Sequence, residues 1–264
     1  MAERESIWKY LPAAVGLFIG WMIFNPPQFL HSFGAGAYVG MFVFAVVAVI
    51  AFSAIVIHKN LPEDIVIRRS TSMSPLPGEM TKLGEDFKSL GFKPTSDVPL
   101  SVGVAPPATV LAFVNEPEKM YGTVYKTDTI TPKISFDMFS IFEGDRGGIT
   151  SGVLAGGASM PTPGSLKQVF LGDNVRSVFE KHRQALLYLK GRGVLCKTVA
   201  PQNFERDFRS SILRMRESFL ASPLMFTLTV IWRSATKKTP HLGPIQTQPG
   251  TQQQIQKILT GNRL

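Results

Sequence analysis

The sequence is poor in the residues from which most catalytic and metal sites are built. Cys196 is the one cysteine, so no internal disulfide forms and nothing demands an oxidising compartment. Histidines number four, and His31 and His58 have no Cys, His or carboxylate at ligand spacing. G-x-x-x-x-G-K-[ST], G-x-S-x-G, H-E-x-x-H and paired-cysteine motifs are all missing, which removes the sequence case for P-loop, esterase-type and zinc chemistry. Gly34-x-Gly36-x-x-x-Gly40 has the wrong spacing for a dinucleotide fingerprint. The glycines of Gly144–Gly157 lack the following Lys and Ser/Thr and read as turn residues. No catalytic residue, cofactor site or metal site is assigned on these grounds.

Charge is missing from two stretches, Tyr10–Phe24 and Tyr38–Ile57. The second is as long as a bilayer core, about 30 Å at roughly 1.5 Å per residue. The first is short at about 22 Å unless it begins at Ile7 and lets Lys9 snorkel. Together they predict a two-helix transmembrane hairpin, residues 1–59. The connector Asn25–Ala37 holds no Lys or Arg, whereas Arg4, Lys9, Lys59, Arg68 and Arg69 flank the runs. Both termini and the following domain are therefore expected on the cytoplasmic side of an integral membrane protein. A signal peptide followed by one span competes with this, but the small residues Ala35-Gly36-Ala37 lie far beyond Phe24 and the n-region carries Glu3 and Glu5. Gly16-x-x-x-Gly20 and Gly36-x-x-x-Gly40 place small residues on one helix face, where membrane helices pack closely. No ionisable group lies in the middle of either run, which argues against transport.

What is abundant is positive charge near the C-terminus. Residues 201–264 carry nine Lys/Arg against three Asp/Glu, within a net charge of +9 for the chain. Beside a membrane anchor this favours lipids and the acidic faces of other integral membrane subunits over nucleic acid. The expected contacts are Arg206, Arg209, Arg214, Arg216, Trp232, Arg233, Lys237 and Lys238. The segment Phe219–Trp232 fits either an interfacial or re-entrant element or a core strand.

Between these ends the pattern predicts an α+β domain over 78–201 after a linker at 60–77. Met80, Leu83, Phe87 and Leu90 form a helical stripe stopped by Gly91. The proline-rich PTSDVPLSVGVAPP is unsuited to a helix interior. ATVLAFVN, MYGTVYKT, KISFDMFSIFE and GGITSGVLAG predict a small antiparallel meander of four strands, with a bulge where the apolar parity of the third reverses at Phe139. A helix then starts at Asp173 or Asn174, buries Val175, Val178, Phe179, His182, Leu186 and Leu189, and ends at Gly191 or Gly193. A second runs Asn203–Glu217, with Phe204, Phe208, Ile212 and Met215 in register. The basic apolar region 202–238 leads to a Gln/Pro-rich tail, 239–264, that would form no core alone.

Two constellations of reactive groups remain. Asp137, Glu143 and Asp145 sit near one strand and its turn and read as a solvated edge. His182 and Cys196 could meet as a thiol–imidazole pair, but both fall in apolar runs and read as packing residues. The function expected is a non-catalytic accessory or scaffold subunit of a membrane-embedded complex. The alternative is a membrane-anchored enzyme or sensor whose domain binds a small anionic ligand or lipid headgroup.

Overall fold

The computed structural model describes residues 43–44, 46–48, 50–55, 65–69, 75–103, 108–127, 134–145, 147–153, 164–225, 227–228 and 243–260. The chain divides into two compact units, Met1–Asn60 and Leu61–Leu264. In the first, positions from 43 to 55 are helical wherever they are described, with Phe44 and Val47 exposed. Tyr10–Phe24 and the four glycines Gly16, Gly20, Gly36 and Gly40 lie outside the described residues. Among those described, no helix is long and apolar enough to cross a membrane. This overturns the expected transmembrane hairpin, and with it the integral-membrane, cytoplasm-facing localisation.

The second unit holds an eight-stranded sheet ordered β1-β3-β4-β5-β6-β7-β8, with β2 also on β4. The strands are β1 (Val66–Arg69), β2 (Lys93–Pro94), β3 (Leu100–Gly103), β4 (Ala108–Asn115), β5 (Met120–Thr127), β6 (Ile134–Ile141), β7 (Gly148–Gly152) and β8 (Ser165–Val169). The helices are α1 (Gly78–Ser89), α2 (Val175–Lys190), α3 (Phe204–Ala221) and α4 (Thr251–Thr260). The expected small antiparallel sheet is thus corrected to a large mixed one, because β8 runs parallel to β7. The expected meander is its centre, β4 to β7. The strands missed, β1, β2, β3 and β8, are at most five residues long, too short for alternation to stand out.

No bulge interrupts β6. Its pairing with β5 is continuous from Lys126↔Ile134 to Tyr121↔Phe139. The parity change has a different cause: both faces of this central strand are buried. Phe139 and Ile141 join Val110, Val114, Tyr121 and Phe204 on the face covered by α3. Phe136 and Met138 join Met80 and Phe87 of α1 and Val178 and Phe179 of α2 on the other. A strand buried on both faces loses the alternation that a half-exposed one shows. Gly122 of β5 admits Phe87, whose ring stacks on Phe113 at 5.2 Å; a Cβ on Gly122 would lie 2.3 Å from Phe87 Cε1.

The helix limits follow local chemistry. The Asn174 side chain accepts from the Ser177 N–H at 2.9 Å and caps α2, while Gly91 after α1 and Gly193 after α2 take positive φ. The tail supplies a third apolar cluster: Ile245, Ile255 and Ile258 pack with Ala185 and Leu189 of α2 and Ile149 and Leu166 of the sheet.

Candidate functional site

α3 carries the basic residues singled out by sequence. Its apolar stripe of Phe204, Phe208 and Ile212 faces the sheet. Asp207 lies one position from Phe208 and is only 2% exposed. A buried carboxylate needs donors to offset lost hydration, and Asp207 has three. Lys197 Nζ lies 2.9 Å from Oδ1, Arg206 Nε 3.2 Å from the same oxygen, and the Tyr121 hydroxyl 3.0 Å from Oδ2. Burial, followed by the Asp207 charge, pushes the Tyr121 phenol well above its usual range, so it stays a donor. Lys197 also reaches Asp145 at 3.0 Å, and this hydrogen bond holds the Asp145 carboxyl below its ordinary value.

The predicted contact residues part company here. Arg206 and Arg209 are exposed on α3, Arg216 is half-buried, and Arg214 is half-buried with its Nη1 enclosed and without a hydrogen-bond partner. Burial lowers the Arg214 basicity while Asp145, Glu217 and Asp207 restore part of it. Trp232, Arg233, Lys237 and Lys238 lie outside the described residues. Of Phe219–Trp232, residues 219–221, 223–225 and 227–228 are helical, so the core-strand alternative fails at every described position from Leu224 on. Sequence reading did not single out Asp207 or Lys197. The available signal was an acid three residues after Phe204, on the buried side of the helix.

A second polar system crosses the opposite side of the sheet. His182 of α2 is fully buried, with Ser151 Oγ 2.7 Å from Nδ1 and Ser140 Oγ 3.1 Å from Nε2. Ser140 spends its one proton on the Lys119 carbonyl at 2.9 Å, so it accepts from Nε2–H. Ser151 then donates to Nδ1 and accepts from the Gln168 amide at 2.8 Å, and Gln168 Oε1 accepts from the Ile245 N–H at 3.1 Å. Every donor therefore points the same way, from the tail to the β4–β5 turn. This assignment requires a neutral imidazole, and burial lowers the His182 pKa from 6.5 to about 3. A seryl–histidyl pair with no exposed surface cannot meet a substrate. It is a structural relay.

The remaining candidates separate. Asp137 is partly buried and bonded to Thr123, and burial raises its pKa from 3.8 to about 6 against the opposing Thr123 hydrogen bond and Lys167 charge. Glu143 and Asp145 are exposed. Cys196 pairs by a β-bridge with Phe142, and burial pushes its thiol up to about 11, a poor nucleophile. Among the described residues no three His, Cys, Asp or Glu are grouped to hold a metal ion. No family model, curated protein or solved structure matches the chain.

What the site region does present is apolar surface. Leu220, Leu224 and Met225 are 52%, 57% and 63% exposed, and Leu228 is 38% exposed. Exposed Arg206 and Arg209 precede them on α3.

Proposed function

We propose that this protein is a non-catalytic scaffold subunit of a protein complex, holding its partner on the outer side of α3 and the helical residues after it. The observation that carries this reading is the run of exposed large apolar side chains from Leu220 to Leu228. Several such residues close together mark interaction surfaces, whereas single ones do not. The exposed Arg206 and Arg209 add positive charge on the same helix, the nearer about 16 Å along it from Leu220, so the partner is a protein with an apolar patch and acidic residues to one side of it. The Asp207 hub supports the role by tying α3 to Tyr121 of β5 and to Lys197, so that the surface is presented on a rigid element.

The test is purification of the full chain under gentle conditions, with bound proteins weighed by native mass spectrometry. A defined partner retained by the native chain and by Leu171→Asp, a control at an exposed site elsewhere, but lost from Leu224→Asp/Met225→Asp, is expected. A lone monodisperse monomer, or a partner retained by the double variant, overturns the reading.

A second reading, binding of a small anion, rests on the enclosed Nη1 of Arg214. Titration with inorganic phosphate decides it: no heat at millimolar concentration removes it. The neighbouring Asp145, Asp207 and Glu217 oppose an anion there, which is why the scaffold reading is preferred.

A further inference from the structure

We propose that the polar half of the sheet face beside α3, centred on Asp137 of β6, binds a small neutral sugar or cyclic polyol. Side chains two apart on a strand share a face, so Asp137 and Ser135 lie on the face of Phe139. The register extends this row. Thr123 and Tyr125 of β5 stand opposite Asp137 and Ser135, Thr150 of β7 opposite Phe139, and Lys167 of β8 opposite Thr150. The apolar cluster under α3 takes in Phe139 and Ile141 of β6 but, among the described residues, none of β7 or β8. Beyond it the floor is polar, and Tyr125, Asp137, Thr150 and Lys167 are each half-buried. Gly152, opposite Asp137, sets no side chain against the carboxyl; a Cβ there would lie 3.0 Å from the Asp137 Cβ.

Two of these groups have hydrogen-bonding capacity that the fold does not use. A carboxylate offers about four acceptor positions, and among the described residues only Thr123 donates to Asp137, whereas Asp207 has three donors. Ser135 is 2% exposed and its Oγ has no hydrogen-bond partner. An unmet buried hydroxyl costs free energy, and packing alone gives no reason to keep it. Burial, followed by the Asp137 charge, raises the Tyr125 pKa and the Ser135 hydroxyl opposes the rise, so the three groups act within reach of one another. The Lys167 charge also reaches Asp137. With one carboxyl and one ammonium in the row, a cation or an anion would meet a like charge, and a neutral ligand meets neither cost. Alcohol groups both donate and accept, as the unspent carboxyl and hydroxyl positions require. From β5 to β8 the row spans about 14 Å at roughly 4.8 Å per strand, wide enough for a sugar ring. None of these residues lies on or after α3, so this proposal and the scaffold reading fail separately.

Saturation-transfer NMR on the full chain tests the site, with D-glucose and myo-inositol as probes at tens of millimolar. Transfer to at least one probe is expected from the native chain, with binding about ten-fold weaker in Ser135→Ala and in Thr150→Val. Ser135→Ala should also raise the thermal midpoint, because it deletes an unpartnered buried hydroxyl, so weaker binding there is not a folding defect. Three results overturn the proposal: no transfer to either probe, which leaves Asp137 and Ser135 to water; equal transfer in the native chain and both variants; and a lowered midpoint in Ser135→Ala, which would show that its hydroxyl already serves the fold.

Discussion

At the scale of single residues, two buried titratable groups act on stability in opposite senses. His182 has its pKa lowered from 6.5 to about 3, so between these values the unfolded chain binds a proton that the native chain refuses. Its contribution is complete above pH 6.5 and is lost as the pH falls toward 3. Asp137 is raised from 3.8 to about 6, so the native chain keeps a proton that the unfolded chain releases. Its contribution is complete below pH 3.8 and is lost as the pH rises to 6. The two slopes oppose one another between pH 4 and 6. Asp137→Asn should therefore steepen the rise of stability with pH across that window, as read from urea midpoints. An unchanged slope would show that Asp137 titrates normally.

The Asp207 hub allows a sharper contrast. Lys197→Met leaves a carboxylate with 3% side-chain exposure short of one cationic donor, at a cost on the order of 3 kcal/mol. Asp145→Asn removes the other partner of the same lysine, but Asp145 is 70% exposed and such ion pairs contribute little. Equal losses in chemical denaturation would contradict the placement of Asp207 in the core.

At the scale of elements, Gly122 shows how a missing side chain positions a helix. Phe87 reaches the sheet only because no Cβ stands on β5 at that point. Gly122→Ala should destabilise the fold by about 1–3 kcal/mol through overpacking, whereas Gly78→Ala, where a Cβ meets nothing within 4 Å, should be nearly neutral. A thermal scan of both variants checks the pair. The same element scale explains what sequence reading achieved. The apolar stripes of α1 and α2, the Asn174 cap and the runs of β4, β5 and β6 are written in neighbouring residues, and each was legible. β1, β2, β3 and β8 are too brief for periodicity, and β6 carried the apparent bulge only because its two faces meet two different cores. α4 was hidden by its glutamines. Its three-residue spacing of Ile255 and Ile258 acquires meaning only against α2.

At the scale of the whole molecule, the expectation of a membrane-spanning hairpin gives way. No described helix is long and apolar enough to cross a membrane, and the proposed role rests on a protein-facing surface on α3. Of the predicted contact residues, Arg206 and Arg209 stand exposed, Arg214 turned inward, and the polar hub that Arg206 joins was not foreseen.

Local chemistry in the sequence was enough to determine the central strands, the two helices that flank them on one face and the caps that stop those helices, because caps and periodicities act over a few residues. Only the tertiary structure decided the parallel addition of β8, the packing of Ile245, Ile255 and Ile258 of the tail against α2 and the sheet, and the partners of the buried polar groups. Ser140 and His182 are 42 residues apart, and Tyr121 and Asp207 are 86 apart. Contacts at such separations follow from how the whole sheet assembles, and no local pattern records them.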